Sequence, residues 1–264
     1  MAAGKKWTRD ELLVALNLYH KLRFGQFDQR QPVIIDLAQR LRRTPSSVAM
    51  KLSNLASLDP ALKLRGIEGL KGASNLDRET WDEYHSNPAE LVPLGQERFD
   101  ALFVEAEGEV TEVLPGIGIR HIRREPIGET EILRITKQRR GQDYFRDVVL
   151  NNYDNRCAIT GLPFRELLIA SHILPWRDHE SERLNVRNGI ALNRLHDAAF
   201  DQGFIGFDND LRMVLSTRLK SLLPDESVKF HFDAHEGKSL SLPADAIPPE
   251  ADFLKKHRLR FNIA

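Results

Sequence analysis

Apolar residues recur at helical spacing along the first sixty positions of this 264-residue chain, and that periodicity sets what its front can fold into. Leu12, Leu13, Leu16 and Tyr19 share one helix face, with Thr8 placed to cap it ahead of Arg9, Asp10 and Glu11. Pro32 opens a second helix carrying Val33, Ile34, Leu37, Ala38 and Leu41, which ends in the basic cluster Arg40, Arg42 and Arg43. Thr44-Pro45-Ser46 turns the chain, Ser46 or Ser47 caps a third helix bearing Val48, Met50, Leu52, Leu55 and Leu58, and Asp59-Pro60 stops it.

Two short helices joined by a basic, Pro-containing turn match a helix-turn-helix unit. In that reading Ser46, Ser47, Ala49, Lys51 and Asn54 face DNA, with Arg40, Arg42 and Arg43 beside them. The competing reading is a plain packing module, because such helix pairs are common in all-α domains. Charge favours DNA. The chain as a whole balances 38 Lys+Arg against 38 Asp+Glu, yet residues 1–65 hold twelve basic side chains against five acidic ones, the footprint that a polyanion requires.

Residues 61–90 fit either a short wing followed by a helix around Thr80–Tyr84 or a further helical layer, so a winged helix and a helical bundle both stay open. Residues 91–136 carry five basic and nine acidic side chains with Pro-Gly turns and read as a linker or a short β-rich piece. His121, between Arg120 and Arg123-Arg124, reads as part of a solvated basic patch. The organisation expected is a basic helical recognition domain at 1–92, the linker at 93–136 and a second domain at 137–264.

At 41% hydrophobic and 29% charged, the chain can bury a real core. Its longest apolar stretches, at 12–16 and 167–170, fall far short of the ~20 residues of a membrane span, and the start MAAGKKWTRDE lacks an apolar signal core. A cytoplasmic protein without a membrane partner is expected. The single cysteine, Cys157, excludes a disulfide framework and any CxxC knuckle.

After Lys137 the pattern changes. Tyr144, Phe145, Val148, Val149 and Tyr153 mark the inward face of a helix, and Thr160-Gly161 makes a tight turn. LLIASHILPW is a strand-like run broken at Ser171-His172. Asn188-Gly189 turns into a strand at Ile190–Leu192, followed by a helix from Arg194 to Phe200 and a further strand from Phe204. The order is strand, loop, strand, helix, and the fold class is α+β.

The strings GQ-x2-FR (141–146), CAITG (157–161), ASHILPW (170–176), RLN-x2-NGIAL (183–192) and LH-x3-FD-x-G-x-I-x-FD (195–208) together resemble the HNH endonuclease family, restriction-type branch. They cover about a quarter of the chain. The spacings of 16 (His172 to Asn188) and 8 (Asn188 to His196) agree with that family as well as the residue types do.

The resemblance implies a ββα-metal fold that hydrolyses phosphodiester bonds, a reaction that needs a base for water, charge stabilisation and help for the leaving oxygen. It implies His172 as general base, Asn188 as a support holding the imidazole or the hairpin around it, and His196 as ligand of a divalent ion that polarises the phosphate. Many members place Asp or His just before the base, where this chain has Ser171. Asp201 and Asp197 are the candidates for the missing carboxylate; Asp201 is favoured, with Ser171 or a water completing the shell. Such oxygen donors suit Mg²⁺ or Mn²⁺, and a lone Cys157 leaves no structural zinc.

Arg177, Arg183, Arg187 and Arg194 cluster around the site in sequence, and Arg177, Arg187 and Arg194 are assigned to DNA phosphates. Residues 209–264 are expected to complete the nuclease domain with a strand at Leu211–Leu215, a helix at Thr217–Leu223, a strand around Val228–Phe232 and a final helix with Phe253, Leu254 and His257. The function expected is a metal-dependent endonuclease on double-stranded DNA, serving restriction or defence as a homodimer. An RNase or nicking enzyme with the same site is the first alternative. The second is a DNA-binding regulator without activity, which Ser171 keeps open.

Overall fold

The computed structural model describes residues 6–104, 109–123 and 132–263. The chain divides into two compact units, Met1–Val148 and Val149–Ala264.

The first unit begins with α1 (Arg9–Lys21), where Thr8 and Glu11 form a reciprocal capping box. Next come α2 (Pro32–Leu41) and α3 (Pro45–Ala56), each with proline in its first turn, where its missing N–H costs nothing. The cap of α3 is Thr44, whose Oγ1 accepts the Ser47 N–H, and not Ser46 or Ser47. Asp59 and Pro60 do not merely stop α3, since Asp59 caps the short α4 (Pro60–Leu64).

Two longer helices follow, α5 (Asn75–Ser86) and α6 (Pro88–Phe103). Among the described residues no strand falls in 61–90, so a wing there is excluded. Gly95 lets α6 approach α1 closely: a Cβ at this position would come within 3.2 Å of the Leu13 carbonyl oxygen. The core is Leu12, Leu13, Leu16, Val33, Ile34, Leu37, Val48, Leu52, Leu55 and Phe99, all buried.

Residues 93–104 and 109–123 carry regular structure. They supply most of α6 and an antiparallel hairpin of β1 (Glu109–Leu114) and β2 (Gly118–Arg123), registered from Glu109 opposite Arg123 to Leu114 opposite Gly118. The hairpin sits on α2, where the Asp36 carboxylate accepts the Ile119 N–H and the Gln31 side chain accepts the Gly116 N–H. His121 and Arg123 are exposed on β2, while Arg124 lies outside the described residues.

The helix α7 (Ile132–Asn152) runs through the division between the units. Tyr144, Phe145, Val148, Val149 and Tyr153 are buried, as their spacing predicts.

The second unit holds β3 (Leu168–His172) and β4 (Gly189–Asn193), antiparallel with His172 opposite Gly189. The chain continues into α8 (Arg194–Asp201) and a second hairpin of β5 (Ile205–Phe207) and β6 (Met213–Leu215). Gly203, at φ +68°, has to be glycine because a Cβ there would overlap the Phe261 ring.

Two short helices, α9 (Thr217–Lys220) and α10 (Glu226–His231), precede the closing α11 (Ala251–Phe261). The strand expected around Val228–Phe232 is therefore a helix. Asp225 accepts the N–H groups of Ser227 and Val228 and so starts a helical turn, and exposed Phe230 gives a strand no buried face. Among the described residues no helix is long and apolar enough to cross a membrane.

Candidate active site

α8 packs on β3 and β4, and its Asp197 lies beside Ser171, the residue that precedes His172 on β3. His172 closes β3, and its Nε2 lies 3.0 Å from the Arg183 carbonyl oxygen. A carbonyl only accepts, so Nε2 carries the proton and the basic lone pair is at Nδ1. Burial pushes His172 below the usual imidazole range while the Arg183 carbonyl pulls the other way; the net shift is downward and keeps the ring neutral at pH 7. The Trp176 indole stands edge-on to the imidazole, with ring centres 5.3 Å apart.

Asn188 is fully buried and does not reach across to the imidazole. Its Oδ1 accepts the Leu174 N–H at 2.8 Å, and its Nδ2 donates to the carbonyls of Leu174 (3.2 Å) and Glu182 (3.0 Å). Of the two roles left open for it, Asn188 takes the hairpin: it pins both ends of the loop that delivers the Arg183 carbonyl to His172.

His196 is turned inward. It lies on α8 but is 2% exposed, with Nδ1 3.0 Å from Asn193 Oδ1 and Nε2 2.9 Å from the His231 carbonyl oxygen. Rings of Phe232 and His235 pack against it. One ring nitrogen of His196 thus faces the Asn193 side chain and the other the His231 carbonyl, so its contacts lie inside the unit. It belongs to an interior knot in which the Asn193 N–H donates to Cys157 Sγ and the Asn193 amide reaches Thr160. Burial pushes the Cys157 thiol up, but hydrogen bonds from His196, Thr160 and Asn193 outweigh it and bring the thiol down to about 7.

The carboxylate that faces the hairpin is Asp197. Burial raises its pKa, and the Ser171 hydroxyl opposes that rise. The two groups are within electrostatic reach but short of a regular hydrogen bond, because Ser171 Oγ is buried without a hydrogen-bond partner. Asp201 follows one helical turn later at the exposed end of α8. Its pKa is raised by burial and then by the Asp197 charge, against which Arg260 acts.

Two like charges on one helix face and an orphaned hydroxyl beside them suit a hard divalent cation, which commonly takes one or two carboxylates and completes its shell with water and phosphate. Among the described residues no three His, Cys, Asp or Glu side chains gather as a ready-made cage, in keeping with so open a shell. Of the two candidate carboxylates, Asp197 is the one that lies beside Ser171. The signal that separates it from Asp201 is its place opposite Ser171, which only the folded hairpin shows.

The basic residues sort by their engagements. Arg177 and Arg194 are exposed, and Arg187 pairs with Glu250 at 3.5 Å. In the first unit Arg40 and Arg42 are exposed, Arg40 with its guanidinium 5.5 Å from the Phe103 ring centre. Arg43 and Lys51 leave the DNA-facing set. Arg43 is tied to Glu11 at 2.8 Å with its side chain 4% exposed, and it stacks on Trp7.

Lys51 is buried and donates to both oxygens of the fully buried Asp77, at 2.7 and 2.8 Å. Asn54 is half-covered by the 66–72 segment, which crosses α3 so closely that a Cβ on Gly69 would collide with the backbone of Ser53 and Ser57. What α3 offers to solvent is Ser46 and Met50, with Ser47 half-buried.

No curated protein matches the chain. One family model does, described as HNH endonuclease, over residues 157–208. That span holds the loop-joined hairpin, His172, Asn188 and all of α8, and it makes this part of the chain an HNH endonuclease domain, a nuclease acting on nucleic acid.

Proposed function

We propose that the chain is a metal-dependent DNA endonuclease that cuts with its second unit and selects its target with its first. The observation that carries this reading is His172 held as the Nε2–H tautomer by the Arg183 carbonyl, one residue along β3 from the Ser171 hydroxyl and the Asp197 carboxylate. Its Nδ1 lone pair takes the proton of the attacking water. Asn188 keeps the loop, and through it the carbonyl, in place. Exposed Arg177 and Arg194 anchor flanking phosphates, with Arg187 contributing once its pairing with Glu250 yields.

Asp197 and Asp201 with the Ser171 hydroxyl would hold a divalent ion, Mg²⁺ or Mn²⁺, which would supply charge neutralisation at the phosphate and the leaving oxygen. His196 serves this centre indirectly, by fixing α8. In the first unit Arg40, Arg42 and Ser46 form the exposed part of the recognition surface, with Ser47 half-buried beside them. Each chain has one His172, so cutting both strands takes two copies, and a homodimer follows. A reader joined to a cutter fits the restriction of foreign DNA.

The test is cleavage of plasmid DNA, unmodified and carrying different base modifications, with Mg²⁺, Mn²⁺ or chelator, by the parent and His172→Ala. Metal-dependent cutting by the parent and at least about 10²-fold less by the variant is expected, since general base catalysis contributes on that order. Parent protein that cuts RNA but no DNA would move the substrate to RNA. A folded parent that cuts neither would sink the nuclease reading.

A further inference from the structure

We propose that Arg183 positions the base, rather than binding a phosphate as the arginines around it do; this rests on His172 being the base. The Arg183 side chain ties together three points of the loop between β3 and β4. Its Nε donates to the Trp176 carbonyl at 2.6 Å, its Nη1 donates to Glu180 Oε1 at 2.9 Å, and its guanidinium carbon stands 5.4 Å from the centre of the Trp176 ring. The backbone of the same residue supplies the carbonyl that receives the His172 Nε2–H. Trp176, clamped through its carbonyl and stacked beneath the guanidinium, is also the aromatic neighbour of the imidazole. One arginine therefore holds the acceptor and the wall of the base.

The peptide before it is held from the other side, where Asn188 Nδ2 donates to the Glu182 carbonyl. Removing the Arg183 fork leaves residues 182–183 held by that contact and by the short-range turns of 179–185, in which the Glu182 N–H donates to the His179 carbonyl and Asn185 Nδ2 to the Glu182 carboxylate, with nothing to tie them to Trp176. The consequence is chemical. A neutral imidazole exchanges its proton between two nitrogens, and the acceptor decides which one keeps it. A carbonyl that drifts from Nε2 lets the Nδ1–H form populate, and in that form the lone pair is on the wrong nitrogen. Lysine cannot replace the fork, because it is a single charged point without paired, planar donors. The Arg183 guanidinium is engaged on two sides within its own loop, by the Trp176 carbonyl and by Glu180.

The experiment uses full-length parent, Arg183→Ala and Arg183→Lys, each checked for an unchanged thermal midpoint. Three readouts are taken on each: steady-state DNA cleavage, the salt dependence of DNA binding, and the ring ¹⁵N shifts of His172, all at a pH where the imidazole is neutral. The expected result is a single Nε2–H tautomer in the parent and a mixture in both variants. With it goes a loss of about 10²-fold in kcat, with KM and salt dependence as in the parent. If Arg183→Ala fails to fold, Arg183→Lys decides.

A raised KM, a salt slope smaller by about one and an unchanged tautomer would make Arg183 a phosphate ligand and overturn the proposal. Variants with the parent's tautomer and kcat would overturn it too. Should the parent cut nothing while the tautomer still shifts in the variants, the positioning role stands and the nuclease reading fails.

Discussion

An α-helix turns by about 100° per residue, so the adjacent His196 and Asp197 cannot serve the same face of α8. The motif LH-x3-FD fixes where the helix is but not its rotation over the hairpin, and that rotation sends His196 inward and Asp197 toward Ser171. His172 and Asn188 were legible because strand ends and turn residues carry their own punctuation. The choice between two neighbours on a helix was not. It follows that Asp197→Asn weakens Mn²⁺ binding at least about 10-fold, the lower end of what even outer-shell changes cost a metal site, with the thermal midpoint nearly unchanged. His196→Ala does the reverse: it leaves the His231 carbonyl without its ring partner, although Asn193 Oδ1 keeps the backbone N–H of residue 196, destabilises the fold by about 1–3 kcal/mol, and leaves metal affinity intact. Isothermal titration and thermal melts on the two variants check this, and a His196→Ala protein that keeps its midpoint but loses Mn²⁺ would restore the histidine as a ligand.

Whole elements were easier to read than the duties of their polar residues. Apolar spacing located α1 and α2 to within a residue or so at their starts and α3 two or three residues late, because burial of one helix face is a local property of sequence while the cap is a choice among neighbouring hydroxyls. Lys51 looked like a solvent-facing residue of a recognition helix because its partner is 26 positions away on α5; no local pattern announces a pairing of that range. The same held for Val228–Phe232, where apolar content suggested a strand and the Asp225 cap made a helix.

The Lys51–Asp77 pair has both carboxylate oxygens satisfied and its carboxylate fully buried. Breaking it from one side strands a charge in a medium that solvates it poorly. Asp77→Asn or Lys51→Ala should each cost about 3–5 kcal/mol, whereas Lys51→Met with Asp77→Leu, which removes both charges, should recover most of that loss. Urea denaturation of the three variants measures it. A double variant no better than the singles would show that the pair does more than neutralise itself.

For the molecule as a whole, the zero net charge conceals a basic front that precedes the nuclease unit. That imbalance was visible in composition alone. The boundary was harder to see, because α7 is one continuous helix whose residues belong to both units, so no break in periodicity marks Val148 and Val149. The structure also narrows the basic front. With Arg43 held by Glu11 and Lys51 by Asp77, the basic side chains of the α2–α3 turn that stay exposed are Arg40 and Arg42.

If those two side chains contact phosphates, replacing both with glutamine removes two counterion-releasing contacts, and the slope of log K against log salt should flatten by about 1.8. Affinity should fall most at low salt, where that release contributes most. kcat at saturating DNA should hold, since neither residue touches the reacting phosphate. Binding isotherms across a salt series decide the matter: a slope equal to the parent's would take DNA off this face of the first unit and leave the arginines near His172 as the main phosphate contacts.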